Sequence, residues 1–438
     1  MLVIFTLEKI YMEGFIVEKK KLHSFSKILS IAFAYVGIVT GAGLATGQEI
    51  VQYFVSFGFA GIFGAVAISI LFMLFGSWIL SLGSLYQSDS HMEVIEDVSY
   101  SWVAKILDWA LTFTCFVMSF VMVAGAGSNL AQQFDTPTWV GSLVCALAIL
   151  GVSFLDFDKV TAALGVFTPI VLVMLFIGLI TVVTGPSIDW SSQFGLAAEL
   201  PSSIPNIGLS VINYLAMCLM TGTSMLFVLG GNVMGIDNAE RGGYLGGFFV
   251  GVISLITAIL LYSKIDIIGT DPIPMLTFME DIHPWVGLMM FIVIFGMIFN
   301  TGFSVCYSLG KRIAGEDDSK FKKVMPIIVL VAFGLSLFGF QELVAVMYPI
   351  IGYIGIVLLI TVAIAFFGSR KDIMKEKGLR ARIYALMIKR QDKNQPWTKK
   401  DKHKMNKLVD KSFSDNDEMK SDMKEVVEEY HDFDEDQE

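Results

Sequence analysis

The chain has 438 residues, of which 55% are hydrophobic and 16% charged, with a mean hydropathy of +0.67; soluble domains carry about a quarter charged residues. This balance excludes a water-soluble globular enzyme and a nucleic-acid-binding protein, and predicts an integral membrane protein whose first partner is the lipid bilayer. The formal net charge of −10 is carried by the extreme C-terminus and does not describe the apolar body.

Residues 1–25 read as a cytoplasmic N-terminal segment. Apolar stretches able to cross about 30 Å of hydrocarbon as helices follow at 28–54, 57–83, 103–128, 138–155 and 159–184. After an extracellular loop at 186–206, five more occur at 207–234, 243–263, 285–310, 324–340 and 342–367. Ten spans in an all-α protein are therefore predicted. Basic loops stay cytoplasmic: Lys19, Lys20, Lys21, Lys159, Arg241, Lys311, Arg312, Lys320, Lys322 and Lys323 fall on one side, and Lys264 alone on the other. Both termini are then cytoplasmic.

The starts of spans one to five precede those of six to ten by 179–186 residues. Phe157-Asp158-Lys159-Val160-Thr161-Ala162 sits 183 residues before Phe340-Gln341-Glu342-Leu343-Val344-Ala345, each at the start of a fifth helix. An odd number of helices per half turns the second half over, so residues 26–185 and 207–369 read as an inverted 5+5 repeat.

The first span contains Tyr35-Val36-Gly37-Ile38-Val39-Thr40-Gly41-Ala42-Gly43-Leu44-Ala45-Thr46-Gly47-Gln48-Glu49. Each glycine costs a helix about 1 kcal/mol relative to alanine, so this cluster predicts a broken helix, with one half ending near Thr40 and the next starting near Thr46. Freed N–H groups suit a solute carboxylate, and freed carbonyls suit a cation or an ammonium group. Gly41, Ala42, Gly43, Thr46 and Gln48 are the substrate-binding candidates here. Glu49 is an acid inside a span, and two readings stand side by side. It can carry a coupling proton or cation, or close a capping box with Thr46.

Glycines at Gly58, Gly61 and Gly64, and at Gly243, Gly247 and Gly251, read as close helix packing. Cys115, Cys145, Cys218 and Cys306 all fall within spans and read as small packing residues. In the sixth span Thr221-Gly222-Thr223-Ser224, 181 residues after the first break, predicts a second one. The competing account is that these hydroxyls bond back to their own helix. Asn213 and Tyr214, earlier in that span, are further pocket candidates. In the eighth, Asn300, Thr301 and Ser304 share a face whose oxygens suit a hard cation such as Na⁺ or bonds between helices. Ser119 is the comparable residue of the third span.

Residues 370–407 hold fourteen Lys/Arg against four Asp/Glu, and 408–438 three Lys against thirteen Asp/Glu. In the basic part Ile373, Met374, Leu379, Ile383, Leu386 and Met387 predict a surface helix lying on anionic lipid. The acidic end reads as disordered. No HExxH or GxSxG pattern occurs, and the five histidines lie in loops, tails or at a span edge, so an enzyme is not expected.

Gly41-Ala42-Gly43-Leu44-Ala45-Thr46-Gly47-Gln48-Glu49 resembles the GAGFATGQE segment of the YkvI-type bacterial membrane proteins, with Leu44 in place of Phe, and the likeness extends over residues 25–368. That group is similar to the amino acid–polyamine–organocation superfamily, whose members adopt the LeuT-like five-plus-five inverted repeat. The resemblance implies a secondary transporter for amino acids or related small amines, working by alternating access. It implies unwound segments at Gly41–Thr46 and Thr221–Ser224, and a cation position near Val39, Ala42, Thr301 and Ser304. The eighth span lacks the adjacent Thr-Ser pair of Na⁺-coupled relatives, and the fifth lacks a mid-membrane lysine, Lys159 lying at its edge. Na⁺ and H⁺ both stand as coupling ions, and no other cofactor is expected. A channel or a solute-sensing receptor on the same fold is the alternative.

Overall fold

The computed structural model describes residues 25–87, 101–155, 166–315, 317–391 and 396–412. The N-terminal segment up to residue 24, the stretch Phe157–Ala162 with Lys159, and the acidic end from residue 413 lie outside the described residues. The first apolar span consists of α1 (Phe25–Val39), α2 (Ala42–Thr46) and α3 (Gln48–Tyr53). A tight turn at Val55–Phe57 leads into α4 (Phe59–Tyr86), followed by α5 (Ser101–Phe134), α6 (Thr138–Val152) and α7 (Phe167–Thr184). The expected loop at 186–206 contains a short helix, α8 (Trp190–Ala198), begun by Asp189, whose carboxylate accepts the Ser192 N–H.

The second half starts at α9 (Ile207–Gly231), capped by the Asn206 side chain accepting from the Leu209 N–H. It continues with α10 (Ile236–Ser263), the single turn α11 (Ile265–Ile268), and α12 (Pro274–Ile282) and α13 (Pro284–Ala314). The last two open on proline, which has no N–H to leave unpaired there. Then come α14 (Asp318–Ser336), α15 (Phe340–Gln391) and α16 (Lys399–Val409). Among the described residues α4, α5, α7, α9, α10, α13 and α15 are long and apolar enough to cross a membrane, and α1 and α6 are apolar but shorter.

Two groups of helices form the body. α4 packs along α10 and α9, and α1 lies on α10; α5 packs on α13, α6 and α14; α15 touches α9, α4 and α5. Small residues set the spacing of the first group. A side chain at Gly247 would overlap the backbone of Phe72 and Met73, and one at Gly251 would overlap Ser69. The backbones of α4 and α10 therefore meet directly, as small-residue stripes allow. Gly61 has the same role, its Cα facing the Phe54 carbonyl and the Tyr262 hydroxyl. All four cysteines are free thiols, with Cys145, Cys218 and Cys306 buried. Packing accounts for both sets of residues.

Three expectations need correction. The first break is not one unwound stretch from Gly41 to Thr46. It is two interruptions, at Thr40–Gly41 and at Gly47, separated by the helical turn α2. Gly47 has φ +80°, a left-handed conformation that glycine adopts without strain. Thr221–Ser224 does not break the sixth span, because α9 is continuous through it. The Thr221 hydroxyl donates to the Met217 carbonyl at 3.0 Å and that of Thr223 to Leu219, so each satisfies itself within the helix.

The basic tail, finally, does not present its apolar side to lipid. α15 runs 52 residues, about 78 Å at 1.5 Å per residue. Ile373, Leu379, Ile383, Leu386 and Met387 are buried against protein, and only Met374 is exposed. α16 folds back on α15, begun by a capping box between Thr398 and Asp401.

Candidate functional site

The end of α1 is closed locally: the Thr40 N–H and hydroxyl both bond to the Val36 carbonyl, at 2.8 and 2.6 Å. Gly41 then turns the chain, its N–H reaching back to Val39. Two other helices meet this turn. Thr301 Oγ1 of α13 lies 3.7 Å from where a Gly41 side chain would begin, and Gly222 of α9 faces Ile38 at 3.0 Å. Gly41, Ala42, Gly43, Thr301 and Gly222 thus come together around the first interruption. Val39, Asn300 and Ser304 are half-buried nearby in sequence. The Asn300 side-chain oxygen is buried with no hydrogen-bond partner, a state rare enough in folded proteins to mark a place for a ligand or water.

Glu49 is 7% exposed and folds back over α2, its carboxylate occupying the space beside Gly43 that a side chain there would need. The capping box with Thr46 is not formed. The Thr46 hydroxyl donates to the Gly43 carbonyl at 2.8 Å, and α3 has no side-chain cap. Glu49 instead receives the Tyr214 hydroxyl at 3.5 Å. Tyr348 of α15 lies beside it and is fully buried. No lysine, arginine or histidine of the described residues pairs with Glu49. A buried carboxyl without a cationic partner is costly.

Above Glu49 a second set of polar groups joins three helices. Tyr53 donates its hydroxyl to Asn213 Oδ1 at 2.9 Å, and Asn213 Nδ2 donates to the Pro349 carbonyl at 3.0 Å. Gln52 Nε2 donates to the Val344 carbonyl at 3.4 Å. Pro349 lies inside α15 and has no N–H for the helix ladder. Asn213 was a pocket candidate, but both ends of its amide are engaged and it is 0% exposed. It therefore acts as a joint between helices. Tyr214 packs on Tyr53 and Phe54, ring centres 5.1 and 5.2 Å apart, and directs only its hydroxyl toward Glu49.

Exposure differs across the break. From Ala42 to Ser56 every residue except half-buried Gln48 is buried, as are 213–220 of α9, whereas Gly37, Thr221 and Met225 are exposed. On the buried side Gln132 donates to the Ile273 carbonyl at 3.1 Å and to Thr277 at 2.9 Å, and accepts from the Ile273 N–H at 3.0 Å. Tyr262 donates to the Gly58 carbonyl at 2.6 Å. Thr223 is turned into its own helix, Ser224 is half-buried, and Ser119 bonds to the Phe116 carbonyl. Tyr53 and Tyr348 were not among the sequence candidates, since a lone tyrosine in an apolar run carries no positional signal.

No family model matches the chain. It is 26% identical over 340 residues to the uncharacterized membrane protein YkvI of Bacillus subtilis (strain 168), covering 77% of this chain and 94% of that one. It is 24% identical over 324 residues to the uncharacterized protein YyaD of the same organism, covering 74% and 92%. In structure it is similar to an inward-facing conformation of Mhp1, with a TM-score of 0.52 at 10% identity over 84% of this chain and 86% of that one. It is also similar to MhsT in complex with L-phenylalanine, TM-score 0.52 at 14% identity over 92% and 96%. The chain is thus a multi-pass membrane protein similar to YkvI and YyaD, with the LeuT-like helical fold of Mhp1 and MhsT.

Proposed function

We propose that the protein is a secondary active transporter of amino acids or related small amines, coupled to a proton or cation and working by alternating access. The observation that carries this reading is the interrupted first helix, met by Thr301 and Gly222 and flanked by a buried Glu49 with no cationic partner among the described residues. Free backbone groups beside a buried acid form a site for a small charged solute. In this reading the first helix and the nine apolar helices from α4 to α15, the short α8, α11 and α12 aside, are ten spans in an inverted 5+5 repeat, with the ends of α4 and α9 cytoplasmic. The exposure of Thr221 and Met225 then belongs to an inward-facing state. That MhsT was solved with L-phenylalanine supports an amino-acid-like solute.

Glu49 is the proton-coupling candidate, and Val39, Ala42, Asn300, Thr301 and Ser304 are the cation-site candidates. The unpartnered Asn300 oxygen supports the latter. Counterflow in proteoliposomes tests the proposal: labelled solute should accumulate against its gradient when exchanged for unlabelled solute. High, non-saturating conductance without exchange would favour a channel, and binding without flux a receptor.

A further inference from the structure

Beyond Ser369 the last long helix departs from the membrane body in an unexpected direction. Tyr86, the final residue of α4, meets Ser369 at 3.3 Å between hydroxyls. Eleven residues on, Arg380 donates to the carbonyls of Ser84 at 2.7 Å and Leu85 at 3.0 Å. A helix advances about 16 Å in eleven residues, yet both contacts fall on the same end of α4. α15 therefore crosses beneath that end.

Arg380 is 3% exposed and also donates to the Met234 carbonyl at 3.0 Å, in the link between α9 and α10. The Ser84 and Leu85 carbonyls are among the last four of α4, which have no partner inside their helix, and a cation there is favoured by the helix dipole. Glu376, 0% exposed, balances the charge at 2.9 Å and accepts from Ser412 beyond α16. Lys377 pairs with Asp237 at 3.0 Å and with Glu240, both in the opening turns of α10. Burial works against the Lys377 charge, but these two carboxylates outweigh it and hold its pKa above the ordinary lysine value. The apolar contacts of the region, Met234 with Ile383, Leu386, Met387, Met405 and Val409, form a cluster separate from the main core.

We propose that α15 from Glu376 onward, past the last of its residues in the main core, Ile373, is together with α16 a detachable strap that ties the ends of α4, α9 and α10 into one body. Its apolar cluster is not continuous with the membrane core, so it can open as a unit while the spans stay folded. When it is closed, one arginine holds carbonyls from two separate elements, and the lysine one turn earlier holds the start of a third. Opening releases the α9–α10 link and frees the end of α4 to move independently of α10.

Hydrogen–deuterium exchange on the full-length protein in nanodiscs tests this without knowledge of the solute. In Arg380→Ala, exchange at residues 84–87 and 232–238 should rise about tenfold or more, as expected when hydrogen bonds to a charged group are lost, while α5 and α13 stay unchanged. Lys377→Ala, at a half-buried position, should give the same pattern with a smaller factor, and it decides the matter if the arginine variant does not fold. Unchanged exchange in both segments, or an equal rise in α5 and α13, would overturn the proposal.

Discussion

The Glu49 carboxylate occupies the space in which a side chain on Gly43 would have to sit. The glycine is thus required by the acid six residues later as much as by the turn. Gly43→Ala should push Glu49 away from Tyr214, with an overpacking cost of about 1–3 kcal/mol. Uptake into proteoliposomes should fall at least tenfold while membrane insertion persists. Gly41→Leu, placed against Thr301, should abolish uptake in the same way; normal uptake in that variant would move the site elsewhere.

Glu49→Gln separates coupling from stability. The geometry provides no cap for this residue to lose, so expression and thermal stability should change little. The pH response of uptake should flatten. A variant that keeps the full pH response of the parent would remove Glu49 from the coupling mechanism.

Thr223 bonds only to its own helix and is fully buried. Thr223→Val keeps its shape and loses one local hydrogen bond, of about 1 kcal/mol net. Uptake should stay within about twofold of the parent, a change under 0.5 kcal/mol by the usual conversion. A large loss of uptake with normal folding would restore the hydroxyl to the solute site.

Gly247→Leu tests the direct contact of α4 and α10, since the new side chain would meet the backbone of Phe72 and Met73. Backbone cannot give way as a flexible side chain can, so the cost should reach or exceed the 1–3 kcal/mol typical of overpacking. A marked drop in the unfolding temperature is expected. Gly37→Ala, where nothing lies within 4 Å, is the control and should be nearly neutral.

Acid should loosen α16. The Asp401 carboxyl is held down to about 2 by the Thr398 hydroxyl first, then by Lys389 and the Thr398 amide. Its folded value is below its free value, so the contribution is complete above about pH 4 and is lost as pH falls toward 2. The fluorescence of Trp397, packed against the tail cluster, should change over that window in a variant retaining only this tryptophan. Asp401→Asn should remove the transition.

The long apolar helices, and a disturbance of the first one near Gly41, were legible in the sequence because apolar runs and clustered glycines act locally, each residue carrying its own cost. Thr221–Ser224 misled because hydroxyls in a helix can bond inward or outward, and the sequence does not distinguish these. Glu49 was visible as an acid in an apolar run, but its neighbour Tyr348 comes from a helix distant in the chain. Arg380 was hidden among fourteen basic residues. The only local trace of its role was Glu376 one turn earlier, and that spacing is equally common on solvated helices.

α15 is unbroken from Tyr348 beside Glu49 to Arg380 beneath α4. Thirty-two residues of helix make a rod about 48 Å long, anchored at one end in the buried acid and at the other in the strap. In the proposed transport cycle, a turn or tilt imposed beside Glu49 would be carried to the tail as a displacement of the whole rod. A spectroscopic label on the exposed side of α16 would then register events at the centre of the membrane.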